Sequence, residues 1–392
     1  MKIFHLSDLH IGLKLYNRDL LEDQKYVFDQ IIKYAKEESP DVILIAGDIY
    51  DKAVPSAEAV EVFDDFIAEL ANETTSTVMT ISGNHDSAPR VDTYRRVLAK
   101  QKLFMIGKPP VMPDEYIEKV TLTDEFGPVD FYLLPFVKPS MVKLITGTDK
   151  EGRNLSYNDA MHALIARENI DPNERNVFVS HQFFLPVGKT ADDVERMESE
   201  IRTVGNIDEI SADVLEPFDY AALGHIHKPM TVGDDRFRYS GTPMPYSVSE
   251  AGQKKGVVMA TLREKGSAPS VSILPLKPLH EVRVIEDTLE EILKQGCDDY
   301  VTAVLTDKVE FDIFDMQARL RAAFPNLLEI RRVNTNRADY SRKIQAEEEL
   351  DPYDLCCSFL KDMDEDSLAI IRDIINSLEG SGEEDKFTGG IL

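Results

Sequence analysis

The chain has 392 residues, with 44 Lys and Arg against 71 Asp and Glu, a net charge of −27 and 43% apolar residues. That length allows two or three domains, each with its own core, and the acid excess argues against non-specific binding of polyanions through overall charge. No run of about 18 uncharged apolar residues occurs, so no transmembrane helix is expected.

Lys2–Leu6 enters a strand-like run at once, without an apolar h-region, so no secretion is expected. A helix is expected over Asp19–Lys36, with Leu20, Leu21, Val27, Ile31 and Tyr34 at helical spacing, closed by Pro40. Val42–Ala46 is a continuous apolar run that fits a strand buried on both faces. Ser56 reads as the N-cap of a helix to about Ala71, with Val60, Phe63, Ile67 and Leu70 inward. Thr77–Ile81 is the third strand of a β-α-β-α-β series, which implies a parallel sheet.

A further helix is expected from Val91 to Leu103, then a hairpin of Tyr116–Leu122 and Pro128–Leu134 around Asp124-Glu125-Phe126-Gly127. Tyr157–Glu168 reads as helix. Asn176–Ser180, Tyr220–Leu223, Phe237–Ser240, Gly256–Leu262 and Ser270–Leu274 read as strands. Residues 1–278 thus form one mixed α/β domain with two sheets, bounded by Pro275-Leu276-Lys277-Pro278. A compact β-α-β-α-β unit follows over 279–338. Residues 339–379 carry an apolar stripe from Leu355 to Leu378 suited to two short amphipathic helices, and 380–392 read as a disordered acidic tail.

Five polar stretches follow the ends of expected strands: Asp8-Leu9-His10, Gly47-Asp48-Ile49-Tyr50-Asp51, Gly83-Asn84-His85-Asp86, Ser180-His181-Gln182 and Gly224-His225-Ile226-His227. The carboxyl ends of parallel strands share one rim, where ligands bind. Asp8 and His10, like His225 and His227, are two residues apart and can face one ion in an extended segment. A carboxylate at Asp48 can bridge two ions, Asn84 offers a neutral oxygen, and His181 adds a nitrogen. This sulfur-free set suits Mn²⁺, Fe²⁺ or Zn²⁺, and two ions about 3.5–4 Å apart are a usual apparatus of phosphoester hydrolysis. Two divalent ions against Asp8 and Asp48 leave a positive surplus that attracts phosphate even on an acidic protein. His85 then lacks a metal and suits a general acid for the leaving oxygen, with Asp51 and Asp86 as partners of ligand or catalytic imidazoles.

In order, D-x-H, G-D-x-x-D, G-N-H-D, a lone His and G-H-x-H resemble the calcineurin-like metallophosphoesterase superfamily, whose fold is a two-sheet sandwich flanked by helices. Leu6–Gly12, Ala46–Asp51, Gly83–Ser87 and Tyr239-Ser240-Gly241-Thr242-Pro243 further resemble the nuclease-subunit family of bacterial SbcCD complexes. The resemblance implies that Asp8, His10, Asp48 and His227 hold one Mn²⁺ and Asp48, Asn84, His181 and His225 the other, with His85 catalytic. It also implies 3′→5′ exonuclease action on double-stranded ends and endonuclease action on hairpin and single-stranded DNA, in recombination, replication and repair. The implied partner is an SbcC-type ATPase, in a heterotetramer with two of each subunit. A homodimer through the nuclease domain, a cap that contacts DNA and a cytoplasmic, nucleoid-associated location are further implications.

Against a DNA enzyme stands the net charge of −27. Basic residues do gather at Arg90, Arg95, Arg96, Lys100 and Lys102 just past His85, and at Arg331, Arg332, Arg337, Arg342 and Lys343. Two other readings stay open: a phosphodiesterase or phosphatase for small esters, and a non-catalytic scaffold of the same fold. His5 reads as a packed core histidine, and His162 and His280 as structural or exposed. Cys356 and Cys357 read as core or interface, since three cysteines make no disulfide framework and fit a reducing compartment.

Overall fold

The computed structural model describes residues 1–190, 193–194, 197, 200, 208–307 and 313–333. Asn334–Leu392 forms a separate unit outside the described residues, so the stripe from Leu355 to Leu378, the adjacent cysteines and the acidic tail fall there.

Val42–Ala46 and Thr77–Ile81 are buried at every residue, as apolar strands covered on both faces must be. They pair in parallel with each other, with Lys2–Leu6 on one side and with Leu103–Ile106 on the other. Gly256–Thr261 and Ser270–Pro275 extend this sheet antiparallel beyond Lys2–Leu6. The second sheet runs Met230–Val232, Asp234–Tyr239, Tyr220–Gly224, Arg175–His181, Gly127–Leu134, Glu118–Asp124. Its four middle strands are parallel and its outer two antiparallel.

The two-residue period of a strand divides each of these segments between two cores. Ile3, Leu44, Met79 and Ile81 meet Phe131, Val177, Val179 and Tyr220 between the sheets. The residues between them, Phe4, Leu6, Ile43 and Ile45, face outward onto helices Leu21–Glu38 and Ala57–Glu73. On the far side Tyr132, Phe178 and Leu223 pack on helix Tyr157–Ala166. The result is the expected two-sheet sandwich flanked by helices. Beyond it, Val282–Asp287, Tyr300–Leu305 and Leu327–Arg332 form a small parallel sheet with helices Leu289–Leu293 and Ile313–Ala323, around Ile292, Val301, Leu320 and Phe324. Buried Asp23 ties it down, accepting from the His280 N–H at 3.0 Å and the Tyr300 hydroxyl at 2.9 Å.

Three local expectations are corrected. Val91–Leu103 is not one helix. Four-residue helices Ala88–Val91 and Arg95–Leu98 break at Tyr94, whose φ is +61°, and Leu103–Ile106 is the edge strand of the first sheet. Ser56 does cap its helix, accepting from the Ala59 N–H at 3.2 Å. The buried face, however, is Val62, Phe63, Phe66, Ile67 and Leu70, while Val60 is 45% exposed. Helix Pro139–Thr146 stands where no helix was expected, with Pro at its first turn. Among the described residues no helix is long and apolar enough to cross a membrane.

Candidate metal centre

Strands Lys2–Leu6, Val42–Ala46 and Thr77–Ile81 end at one rim of the first sheet, and Arg175–His181 and Tyr220–Gly224 end at the facing rim of the second. The first sheet brings Asp8, His10, Asp48, Asn84 and His85; the second brings His181, His225 and His227. Backbone bonds hold the loops in register, with Asp8 N–H on Gly47 C=O and His10 N–H on Asp48 C=O, both at 3.0 Å. Two glycines make room. A Cβ on Gly47 would lie 2.4 Å from His181 Nδ1, and one on Gly83 would lie 2.1 Å from Asp48 Oδ1. Asp8, His10, Asp48 and His225 have φ of +53°, +42°, +50° and +105°. Left-handed backbone at non-glycine residues is strained and persists only where the surroundings enforce it.

The ligand atoms converge in two groups. In the first, His10 Nε2 lies 3.1 Å from His227 Nε2 and 3.6 Å from Asp48 Oδ2. In the second, His181 Nε2 lies 3.2 Å from Asp48 Oδ2 and 3.0 Å from Asn84 Oδ1, which is 3.1 Å from His225 Nδ1. Asp8 Oδ1 stands 4.0 Å from both His181 and His227, so it faces both groups. Oxygen and nitrogen ligands of one divalent ion, bound at about 2.0–2.2 Å, lie about 3–3.6 Å apart. The donors therefore fit divalent cations in type, and six of the seven expected ligand residues meet that spacing, with Asp8 standing slightly farther out.

The electrostatics agree. Burial works to raise the Asp48 carboxyl, but His181, His10 and His85 hold it well below the usual carboxylate range. Burial likewise works to lower His181, yet Asp48 and Asp8 raise it to about 9. Two buried carboxylates thus draw positive charge into the space between the sheets.

His85 stands beside these groups and carries a hydrogen bond of its own. Its Nδ1 lies 2.9 Å from the Asp51 carbonyl oxygen, and an N–H there donates to it, which turns Nε2 toward Asp48 Oδ2 at 4.0 Å. Its backbone N–H donates to Asp48 Oδ1 at 2.9 Å. Asp51 also joins His10 and His85 in a third cluster of possible ligands. Asp86, expected to partner an imidazole, is hydrogen-bonded among the described residues to backbone donors. Its carboxylate accepts from the N–H groups of Ile49 and Tyr50 at 3.0 Å and of Gly83 at 2.9 Å, bracing the Asp48 loop against the Asn84 loop. Burial, with Asp48 nearby, pushes it up to about 6.

His5 is buried, with Nδ1 3.1 Å from the Tyr220 hydroxyl and Nε2 3.1 Å from Leu223 C=O, and burial pushes it down to about 3. His162 faces Asp213 at 3.6 Å and His280 faces Asp23 at 3.1 Å. Arg95 is committed to Asp92 and Glu118 at 3.5 and 3.2 Å, while Arg96 lines an open cleft of about 650 Å³ with Lys108 and Tyr116. Arg331 and Arg332 lie on the last strand of the small sheet; Arg337, Arg342 and Lys343 lie outside the described residues. Sequence reasoning missed Gln24, whose amide donates to Leu9 and His10 C=O at 3.2 and 2.9 Å, and the buried pair Glu250 and Lys255.

A family model described as calcineurin-like phosphoesterase matches residues 1–229, and one described as type 5 capsule protein repressor C-terminal domain matches residues 278–364. The chain is 29% identical over 379 residues to the SbcD component of nuclease SbcCD from Staphylococcus epidermidis, covering 95% of this chain and 96% of that protein. Among solved structures it is similar to GAP50, the anchor in the inner membrane complex of Plasmodium, at 13% identity and a TM-score of 0.38, covering 86% of this chain and 98% of that one. It is also similar to a dimetal phosphatase from Danio rerio, at 15% identity and a TM-score of 0.40, covering 70% and 98%.

Proposed function

The chain belongs to the calcineurin-like phosphoesterase family, and from that premise we propose that it is the Mn²⁺-dependent nuclease subunit of an SbcCD-type complex. It hydrolyses DNA phosphodiester bonds together with an SbcC-type ATPase. The observation that carries this reading is the pair of ligand groups meeting at Asp48 beside an imidazole, His85, that carries a hydrogen bond of its own.

In this reading Asp8, His10, Asp48 and His227 hold one ion, and Asp48, Asn84, His181 and His225 the other. Bound there, the ions supply Lewis acidity at the phosphoryl group and a more acidic water. The chain's own residues do the rest. The Asp51 carbonyl fixes His85 through Nδ1–H, so Nε2 is the atom that hands a proton to the leaving oxygen. The bond from the His85 backbone to Asp48 keeps that nitrogen in register with the ligands. Asp86 holds the two loops together from behind.

The choice of DNA over a small ester rests on similarity to a nuclease component along 95% of this chain. Residues 1–278 are then the nuclease domain and the site of homodimer contact. Residues 279–338 form a cap on DNA, 339–379 dock the ATPase in a complex of two copies of each subunit, and 380–392 are a tail. Of Arg90, Arg95 and Arg96, expected to meet the substrate, Arg95 must first leave Asp92 and Glu118, while Arg96 already lines the open cleft. The activities are 3′→5′ exonuclease on double-stranded ends and endonuclease on hairpins and single strands, in recombination, replication and repair. Because the chain is acidic, its own DNA affinity is low and salt-sensitive, and the ATPase supplies much of it.

The test is cleavage of hairpin DNA and of bis-p-nitrophenyl phosphate in Mn²⁺, with and without the ATPase. DNA cleavage that rises with the ATPase is expected. Ester turnover with no DNA cleavage under any condition assigns the site to small phosphoesters, and turnover of neither assigns the fold to a scaffold.

A further inference from the structure

The stretch Tyr239-Ser240-Gly241-Thr242-Pro243 stands out in the sequence yet contributes no ligand. It runs directly behind the ligands. Ser240 Oγ lies 2.7 Å from Ser7 Oγ, and Ser7 donates to Asp8 Oδ2. Thr242 donates its N–H to His227 C=O at 3.2 Å and its hydroxyl to Glu250 Oε2 at 2.9 Å.

Glu250 is fully buried, and its partner Lys255 is buried beside it. Lys255 Nζ donates to Glu250 Oε2 at 2.7 Å and to His227 C=O at 2.8 Å. Ser247 Oγ donates to Glu250 Oε1 at 3.0 Å, and that same oxygen stands 3.7 Å from His227 Nδ1. On the other side of the ring, His227 Nε2 faces His10 Nε2 at 3.1 Å. The His227 backbone N–H is held as well, by Glu200 Oε1 at 2.9 Å. Both backbone polar groups of His227 are therefore held, the Glu250 carboxylate stands behind the ring at Nδ1, and Nε2 points into the cation site.

We propose that Glu250, held in place by Lys255, is a positioning residue that fixes the His227 imidazole at the first cation site; this rests on the reading of the rim as a two-cation centre. A carboxylate behind Nδ1 keeps the proton on that nitrogen and leaves the Nε2 lone pair for the cation. A stability role accounts poorly for the pair. A buried Glu–Lys pair contributes little beyond what apolar residues of equal volume would, and both members of this one turn toward His227. Thr242 and Ser247 occupy further lone pairs of the carboxylate, which limits its rotation.

The measurement is a Mn²⁺ titration of the full chain by calorimetry and Mn²⁺ electron paramagnetic resonance, independent of turnover. The wild type binds two ions per chain; fewer than two overturns the two-cation reading itself, whatever the variants do. In Glu250→Gln, one of the two sites weakens about 10- to 100-fold, while the site of Asn84, His181 and His225 keeps its affinity. Glu250→Asp, which keeps the ion pair but shortens its reach, gives an intermediate loss confined to the same site. Two sites of wild-type affinity in either folded variant overturn the proposal. If Glu250→Gln alone fails to fold, Glu250→Gln with Lys255→Met removes both charges together and is read the same way.

Discussion

The strands Lys2–Leu6 and Arg175–His181 carry buried charge at both of their ends, and the two ends are built on opposite plans. Where they begin, Asp124 is surrounded by donors. The Met1 ammonium is 2.6 Å from it, and Arg175 donates to it through both terminal nitrogens. The spare hydrogens of Arg175 reach Arg263 C=O at 3.0 Å and Gly127 C=O at 2.6 Å, and Met1 reaches Leu262 C=O at 2.7 Å. Where the same strands finish, ring nitrogen faces ring nitrogen, two carboxylates share one space, and Asp8, His10 and Asp48 sit at positive φ. Buried charge alone therefore does not mark a functional site. Convergent lone pairs on strained backbone do, because burying facing acceptors is costly and a bound cation offsets that cost.

The largest expected effect comes from removing the residue on which both ligand groups depend. Asp48→Asn should lose both Mn²⁺ ions in a titration and bring DNA cleavage below detection. Melting of the metal-free protein should fall less than for a change at Arg175, because at the rim the removed charge also relieves repulsion from Asp8. If Asp48→Asn still binds one ion at wild-type affinity, Asp48 is not shared. Next is His85→Ala, expected to lower cleavage about 10²- to 10⁴-fold while both ions bind as in the wild type. Loss of an ion in that variant would make His85 a ligand and would join the third cluster, with His10 and Asp51, to the metal site.

Much of this rim is legible in the sequence, and the physical reasons differ by residue. Apolar runs such as Val42–Ala46 declare a doubly buried strand by themselves, and each ligand stretch announces itself by putting Asp or His directly after such a run. Edge structure is less legible. Leu103–Ile106 is an edge strand whose first three residues are only partly buried, so it passes for the end of a helix. Val60 shows the limit of reading phase from one helix: the inward face is fixed by packing against the sheet, and the stripe through Val62 and Phe66 wins. Asp86 sits beside His85 in sequence, but backbone donors from two loops capture its carboxylate first. Glu250 and Lys255 carry no sequence signal. A charged pair five residues apart looks like solvated surface until the chain tucks it under His227.

A smaller effect, at the opposite end, sharpens the contrast. Arg175→Met leaves the Asp124 carboxylate with the Met1 ammonium and the Phe126 N–H. Breaking a buried pair costs about 3–5 kcal/mol when it strands a charge; with two donors left on Asp124 the loss should lie at or below the lower end of that range, read as a loss of denaturation midpoint. Cleavage per folded molecule and Mn²⁺ stoichiometry should not change. A fall in metal affinity would mean that the two ends of these strands are coupled and that the division between them is wrong.

The smallest effect is the response of that end to acid. Burial works to raise the Asp124 carboxyl, but hydrogen bonds from Arg175, the Met1 ammonium and the Phe126 N–H outweigh it and hold it well below the usual carboxylate range. A carboxyl depressed in the folded state stabilises the fold fully above its unfolded value of about 3.9 and loses that contribution as pH falls toward the folded value. Wild-type stability should therefore decline below about pH 4, measured by denaturant unfolding without metal. In Asp124→Asn, already less stable at neutral pH, the part of the decline owed to this carboxyl should be missing. The difference stays below the Arg175→Met loss, because protonation removes only the charge of the carboxyl while Arg175 keeps Arg263 C=O and Gly127 C=O as partners. An equally steep decline in both proteins would place the acid sensitivity elsewhere and leave Arg175 a packing residue with a charge, not the partner that sets the balance at this end of the sandwich.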